Sequence, residues 1–205
     1  MTTCCGMVCA PCGAGASVVA MSGLIDDESG RWQTFGERAI YDDPSVWLGQ
    51  VDVKPPDREH QWSHVVRLRR AVTVMLLDYE DQVLLLWRYR FVKDRLGWEL
   101  PGGPIAEGEE PAEAAARELD EQAGYRAGFF ERVITFEPLP GMIDAEQLVY
   151  VGRRPTRVHE PAFGGGEIAG MGWISIKSIP RLISDGTIWS AASLVALLSL
   201  LGIGA

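Results

Sequence analysis

The chain has 205 residues, 47% of them hydrophobic and 23% charged, with a formal net charge of −9. That profile fits one globular domain with a small appendage and excludes a disordered or fibrous chain. The acidic balance repels a phosphate backbone, so a general nucleic-acid binder is excluded. A small anionic substrate stays open where bound cations offset the repulsion.

All four cysteines, Cys4, Cys5, Cys9 and Cys12, lie at the N-terminal end. The body therefore has no disulfide framework, and a cytoplasmic location is expected. Gly, Ala and Ser flank these cysteines, with no helix or hairpin to fix metal-ligand geometry and no basic n-region of a signal peptide. Residues 1–22 read as a disordered tail, with Met21 as an alternative start. Residues 23–63 read as an N-terminal β segment and 64–205 as the main domain.

From Trp32 to Pro56, aromatic and β-branched residues mix with turn signals, which predicts strands at about 37–41 and 46–53. Partial alternation predicts one long strand over 64–78, turning at Asp78–Asp81 into a returning strand over 82–90. A short strand, Trp98 to Leu100, meets a Pro-Gly-Gly loop. Pro111 suits a first helical turn, and Glu109 and Glu110 suit its positive end. Ala112 to Ala123 has strong helix propensity, and Gly124 is a C-terminal stop. Strands follow at about 131–137, 146–152 and 170–176, then a short helix, a Gly turn and a final helix. The apolar run over 191–203 is shorter than the roughly 20 residues of a membrane span and reads as a buried or partner-facing helix. Strands, one helix, strands and helices make an α+β pattern without βαβ alternation.

Chemistry concentrates between residues 98 and 125. Gly102 and Gly103 let backbone approach a ligand without Cβ interference. Glu118, Glu121 and Gln122, in "AAARELDEQAGY", share one helix face. Such a face suits a hard divalent cation, which takes oxygen ligands, keeps waters and offsets polyphosphate charge. Composition alone favours an ordinary solvated helix face. Asp120, two positions on from Glu118, points elsewhere. His60, His64 and His159 are scattered and carry no assigned chemistry.

The spacing around this helix is Gly103, five residues, Glu109, seven residues, Arg117-Glu118-Leu119, one residue, Glu121-Gln122, one residue, Gly124-Tyr125. It closely resembles the Nudix box, whose last Glu is replaced here by Gln122. The resemblance extends over about residues 35–202. It implies an α/β/α sandwich around a mixed β-sheet, and Mg²⁺-dependent hydrolysis (Mn²⁺ as the alternative ion) of a nucleoside diphosphate linked to another group. Glu118 and Glu121 take catalytic and metal-ligand positions, with Gln122 and the Gly102 carbonyl as further ligands. Glu109 and Arg117 brace the loop and helix, framed by Gly103 and Gly124. Gln122 keeps one oxygen donor but loses the charge, which implies weaker occupancy of one metal site.

Outside the box, "LLLWRYRF" before "WELPGG" is similar to the Gln-Tyr-Arg and Glu-Leu-Pro-Ala-Gly pattern of the ADP-ribose pyrophosphatase-like branch. Arg88, Arg90 and Glu99 then become substrate-binding candidates, and so does Pro140, because "FEPLPGMIDAEQLVYVG" resembles the branch's Pro-Ser-Pro-Gly segment. The branch draws a catalytic Glu from a loop before the last strand: here Glu167, after a triple Gly, with Glu160 as second choice. The expected activity is hydrolysis of ADP-ribose or a related nucleoside diphosphate sugar. Alternatives are another nucleotide substrate, such as a modified triphosphate or dinucleotide polyphosphate, and a degenerate domain that binds a nucleotide as a sensor. The branch also implies a homodimer through the aromatic-rich segment 32–53.

Overall fold

The computed structural model describes residues 30–161 and 166–203. The four cysteines, Met21 and the expected tail lie outside the described residues. Strands β1 (Gln33–Asp42), β2 (Val46–Lys54) and β3 (Gln61–Leu68) form an antiparallel meander. Strands β4 (Ala71–Leu77), β5 (Gln82–Arg90), β6 (Arg95–Glu99) and β7 (Gly102–Pro104) lead to helix α1 (Pro111–Ala123). Then come β8 (Tyr125–Arg126), β9 (Phe129–Phe136), β10 (Ile143–Asp144), β11 (Gln147–Arg153) and β12 (Thr156–Arg157). Strand β13 (Ile168–Ser175) and helices α2 (Ile179–Ser184) and α3 (Ala191–Ile203) complete the order.

A seven-stranded sheet runs β13-β5-β4-β11-β9, with β6 paired to β5 and β7 to β4. It is mixed: β4 and β11 are parallel, and the other pairs are antiparallel. Strand β10 adds to β3 in parallel, making the meander a four-stranded sheet.

Strand alternation divides the large sheet into two faces. Val72, Val74 and Leu76 of β4, with Leu84 and Leu86 of β5, pack with Ala114, Ala115, Leu119 and Ala123 of α1. Met75, Leu77, Val83 and Leu85 face the other way, onto Ile179, Ile188, Ala196 and Leu197. Helices thus cover both faces, which is the expected α/β/α sandwich in an α+β chain. Both faces being covered is why β4 and β5 read as nearly continuous apolar runs.

Two local expectations are corrected. The strand expected over 64–78 is split at Arg69-Arg70 into β3 and β4, which belong to different sheets. Both arginines are exposed: Arg69 Nε donates to the Pro44 carbonyl at 2.9 Å, and Arg70 pairs with Glu146. Two successive guanidinium groups cannot enter the interior that receives Val72 to Leu77, so the chain changes sheet there. The Pro-Gly-Gly segment is also not wholly a loop: Gly102 and Gly103 pair with Thr73 and Val72. A Cβ on Gly102 would lie 2.3 Å from the Val72 carbonyl oxygen, so only glycine allows this backbone approach.

Candidate active site

Helix α1 starts at Pro111 and ends on Gly124, whose φ of 69° is the left-handed conformation glycine adopts freely. Its inner face carries Ala114, Ala115, Glu118 and Leu119 against the sheet. Glu118 is therefore a buried carboxylate on a helix otherwise anchored by apolar contacts.

Arg117 ties the preceding loop to the helix. Its Nε and Nη2 donate to the two oxygens of Glu109 at 2.8 and 3.0 Å, and Nη2 also donates to the Pro104 carbonyl at 3.0 Å. Nη1 donates to Glu118 Oε1 at 2.7 Å and to Glu121 Oε2 at 3.4 Å. The Arg117 guanidinium, with help from the Ala106 N–H, holds the Glu109 carboxyl down to about 2. The same bonds push Arg117 further above its ordinary value.

Gln122 occupies the centre. Its Oε1 accepts from Arg88 Nη2 at 2.8 Å and from the Gly102 N–H at 3.1 Å. Its Nε2 donates to the Gly102 carbonyl at 2.9 Å and to Glu118 Oε2 at 2.6 Å. Arg88 is on the same face of β5 as Leu84 and Leu86, so it points toward α1. Only 5% of its side chain is exposed, and its Nε is buried without a hydrogen-bond acceptor among the described residues. Burial pushes the Arg88 guanidinium below its ordinary value, aided by Arg90; Glu99, Glu167 and Glu118 pull the other way.

Arg90 forms a forked pair with buried Glu99, with Nη2 to Oε2 at 2.6 Å, and its Nη1 lies 3.6 Å from Glu167 Oε2. The Glu167 carbonyl accepts the Tyr89 N–H at 2.7 Å, which fixes the start of β13 beside β5. A hollow of about 450 Å³ opens here, lined by Arg88, Arg90, Lys93, Glu99, Gly102 and Gly103, with the start of α3 on its far side. Three cationic side chains around one hollow suit a phosphorylated ligand.

Glu118, Glu121, Gln122, Gly102, Arg88 and Arg90 are thus brought together. Glu99 acts on Arg90, holding it from behind. Glu167 is exposed and reaches the group through Arg90; Glu160 pairs with Arg157 instead. Pro140 lines a separate hollow with Val65 and Met142. Asp120 turns away from the carboxylates, as its spacing requires, and bonds Arg126 and His159. His159, given no role from sequence, pins its loop to α1. Lys93 also escaped sequence reading, since no motif extends past Arg90 in "RYRFVK".

The NUDIX domain model matches residues 67–196. The chain belongs to the Nudix family. It is 32% identical over 174 residues to the CMP-5'-(N-acetyl-N-hydroxy-3-aminopropyl)phosphonate hydrolase of Streptomyces rubellomurinus, covering 85% of this chain and 84% of that one. It is 26% identical over 175 residues to an ADP-ribose pyrophosphatase of Mycobacterium tuberculosis, covering 82% of each. The fold is similar to the crystal structure of an ADP compounds hydrolase, with a TM-score of 0.71 at 17% identity over 84% of this chain and 93% of that one. The protein is a Nudix pyrophosphohydrolase that cleaves nucleotide derivatives.

Nudix hydrolases generally use divalent metal ions. The donors here fit such an ion in part. Glu118 and Glu121 converge on one Arg117 nitrogen, so two carboxylates can meet one hard cation that keeps its waters. Among the described residues, no group of three or more His, Cys, Asp or Glu is placed to hold a metal. No helix among them is long and apolar enough to cross a membrane.

Proposed function

We propose that this Nudix hydrolase cleaves the pyrophosphate bond of ADP-ribose or a related nucleoside diphosphate sugar, releasing a nucleoside monophosphate and a sugar phosphate. The observation that carries the reading is the pair Glu118 and Glu121 on one Arg117 nitrogen, with Glu118 directly behind Gly103, which lines the hollow of Arg88, Arg90 and Lys93. A carboxylate pair next to a basic hollow suits a substrate with adjoining phosphates. The ADP-ribose pyrophosphatases among its relatives support the same substrate class.

Mg²⁺ is the proposed ion, with Mn²⁺ able to replace it. Glu118 and Glu121 would hold it, and there it would offset phosphate charge and make a water more acidic. The protein's own groups do the rest. Arg90, set by Glu99, neutralises a phosphate oxygen, and Glu167 next to it accepts the proton of the attacking water. Arg117 holds both carboxylates in register.

A second reading shares this chemistry. The relative with 32% identity acts on a CMP-linked phosphonate, and the hollow here is basic enough for a compact phosphonyl group. Assays of ADP-ribose, nucleotide sugars and a CMP-linked phosphonate with Mg²⁺, read as nucleoside monophosphate release, separate the two. No turnover of any of them would sink both.

We also propose that residues 64–205 form the catalytic unit and that segment 23–63 serves dimerisation, in a cytoplasmic homodimer. Trp32, Phe35, Ile40 and Tyr41 are each more than half exposed, and a second copy is the proposed cover. Light scattering that finds only monomer would overturn this.

A further inference from the structure

Two positions depart from the residue patterns this chain resembles. Arg88 stands where the Gln-Tyr-Arg segment begins with Gln, and Gln122 stands where the helix motif ends its carboxylate pair. They are 34 residues apart in sequence, yet Arg88 donates directly to Gln122 at 2.8 Å. A positive charge gained at one position meets a negative charge lost at the other.

The bonds of Gln122 admit one orientation of its amide. Reversing it would set a nitrogen against the Arg88 guanidinium and the Gly102 N–H, and an oxygen against the Gly102 carbonyl and Glu118. A glutamate in the same place would press a carboxylate oxygen onto Glu118 and a carbonyl. That arrangement needs a cation between the oxygens, or a proton shared by the two carboxylates. The amide nitrogen already lies between them, 2.9 Å from the Gly102 oxygen and 2.6 Å from Glu118 Oε2. Behind it, the buried Arg88 has a donor to spare, since its Nε has no acceptor among the described residues.

We propose that the Arg88–Gln122 pair replaces one divalent cation of this site. The amide nitrogen fills the point between Glu118 and the Gly102 carbonyl, and the guanidinium gives the hollow a fixed positive charge in the ion's stead. Arg88 is thereby a specificity-determining residue: its charge is planar, permanent and immovable, and it favours a substrate phosphate that presents an oxygen at one set position. The proposal rests on the hydrolase reading for its use, but not for its first test.

That test counts Mn²⁺ bound per full-length chain by electron paramagnetic resonance, without substrate. The wild type, Gln122→Glu, Arg88→Gln and the double variant Arg88→Gln/Gln122→Glu are compared, with circular dichroism as the check on folding. The double variant is expected to bind at least one Mn²⁺ more than the wild type. Gln122→Glu alone should gain less than the double variant, because Arg88 competes with the ion for the new carboxylate. Equal counts in wild type and double variant overturn the proposal. If the double variant does not fold, the wild-type count decides: one Mn²⁺ supports the replacement, and two or more overturn it. Activity is read separately. Arg88→Gln alone should lower kcat/KM roughly 100-fold, as loss of one fixed donor to a reacting group does; an unchanged kcat/KM overturns the role of Arg88. A chain that hydrolyses nothing but shows the difference in Mn²⁺ count loses the hydrolase reading and keeps this one.

Discussion

The two sheets treat their apolar residues in opposite ways. In the large sheet, β4 is buried at every position from Val72 to Leu77, with helices on both sides. In the small sheet, all ten residues of β1 are exposed, Phe35, Ile40 and Tyr41 among them. The polar contacts of the site, from Arg88 to Gln122, Glu118 and Gly102, belong entirely to the large sheet and its helix. The large sheet therefore completes its own core within one chain. The small sheet presents apolar surface that the rest of the described chain leaves uncovered.

Four substitutions press on that contrast. The largest effect is expected at Glu118→Gln, which removes a buried carboxylate of the site while keeping its shape. Hydrolysis of ADP-ribose with Mg²⁺ should fall by about 1,000-fold or more, with the circular dichroism spectrum unchanged. Residual activity near that of the wild type would remove Glu118 from the site. Next is Leu86→Ala, in the layer between β5 and α1 where Leu86 is fully buried. It should cost about 2–5 kcal/mol in urea unfolding. Ile40→Ser, on the small sheet, should change monomer stability by less than about 0.5 kcal/mol. Its effect should appear instead as a weaker dimer in light scattering; a large loss of monomer stability would erase the contrast between the sheets.

Glu109→Gln should have the smallest effect, seen in the pH profile. The Glu109 carboxyl is held at about 2 against an ordinary 4.5, chiefly by Arg117. A depressed carboxyl stabilises the fold above its ordinary value, and that contribution disappears as pH falls from about 4.5 toward about 2. Solvent still reaches the pair, with about a third of the Arg117 side chain exposed, so the gain is modest. Thermal melts across that window should fall less steeply for the variant. An identical slope would show that the brace between loop and helix does not titrate.

Local signals were legible wherever the cause was local. Helix α1 could be read end to end because Pro111, its alanines and Gly124 each act within a turn or two. Strand β5 matched its expected span because turns bound it on both sides. The split at Arg69-Arg70 was not legible, since partial alternation runs through it and only the two sheets reveal the break. Pairing of Gly102 and Gly103 with β4 depends on a strand some thirty residues earlier. The brace of Glu109 and Arg117 followed from the motif. What Gln122 does was an open question in sequence, because its answer depends on Arg88, brought close by the register of β5 beneath α1.

Gly102 and Gly103 set a limit on how this protein can vary. A methyl group on Gly102 would strike the backbone of β4, and one on Gly103 would come within 2.5 Å of the Glu118 carboxylate. Neither glycine contributes a side chain, yet each holds space that the neighbouring backbone or carboxylate requires. In a library carrying every substitution at every position, these two should form a pair of blank columns beside the far more permissive exposed face of α1. Alanine, elsewhere the mildest replacement, would be no safer there than a bulky residue.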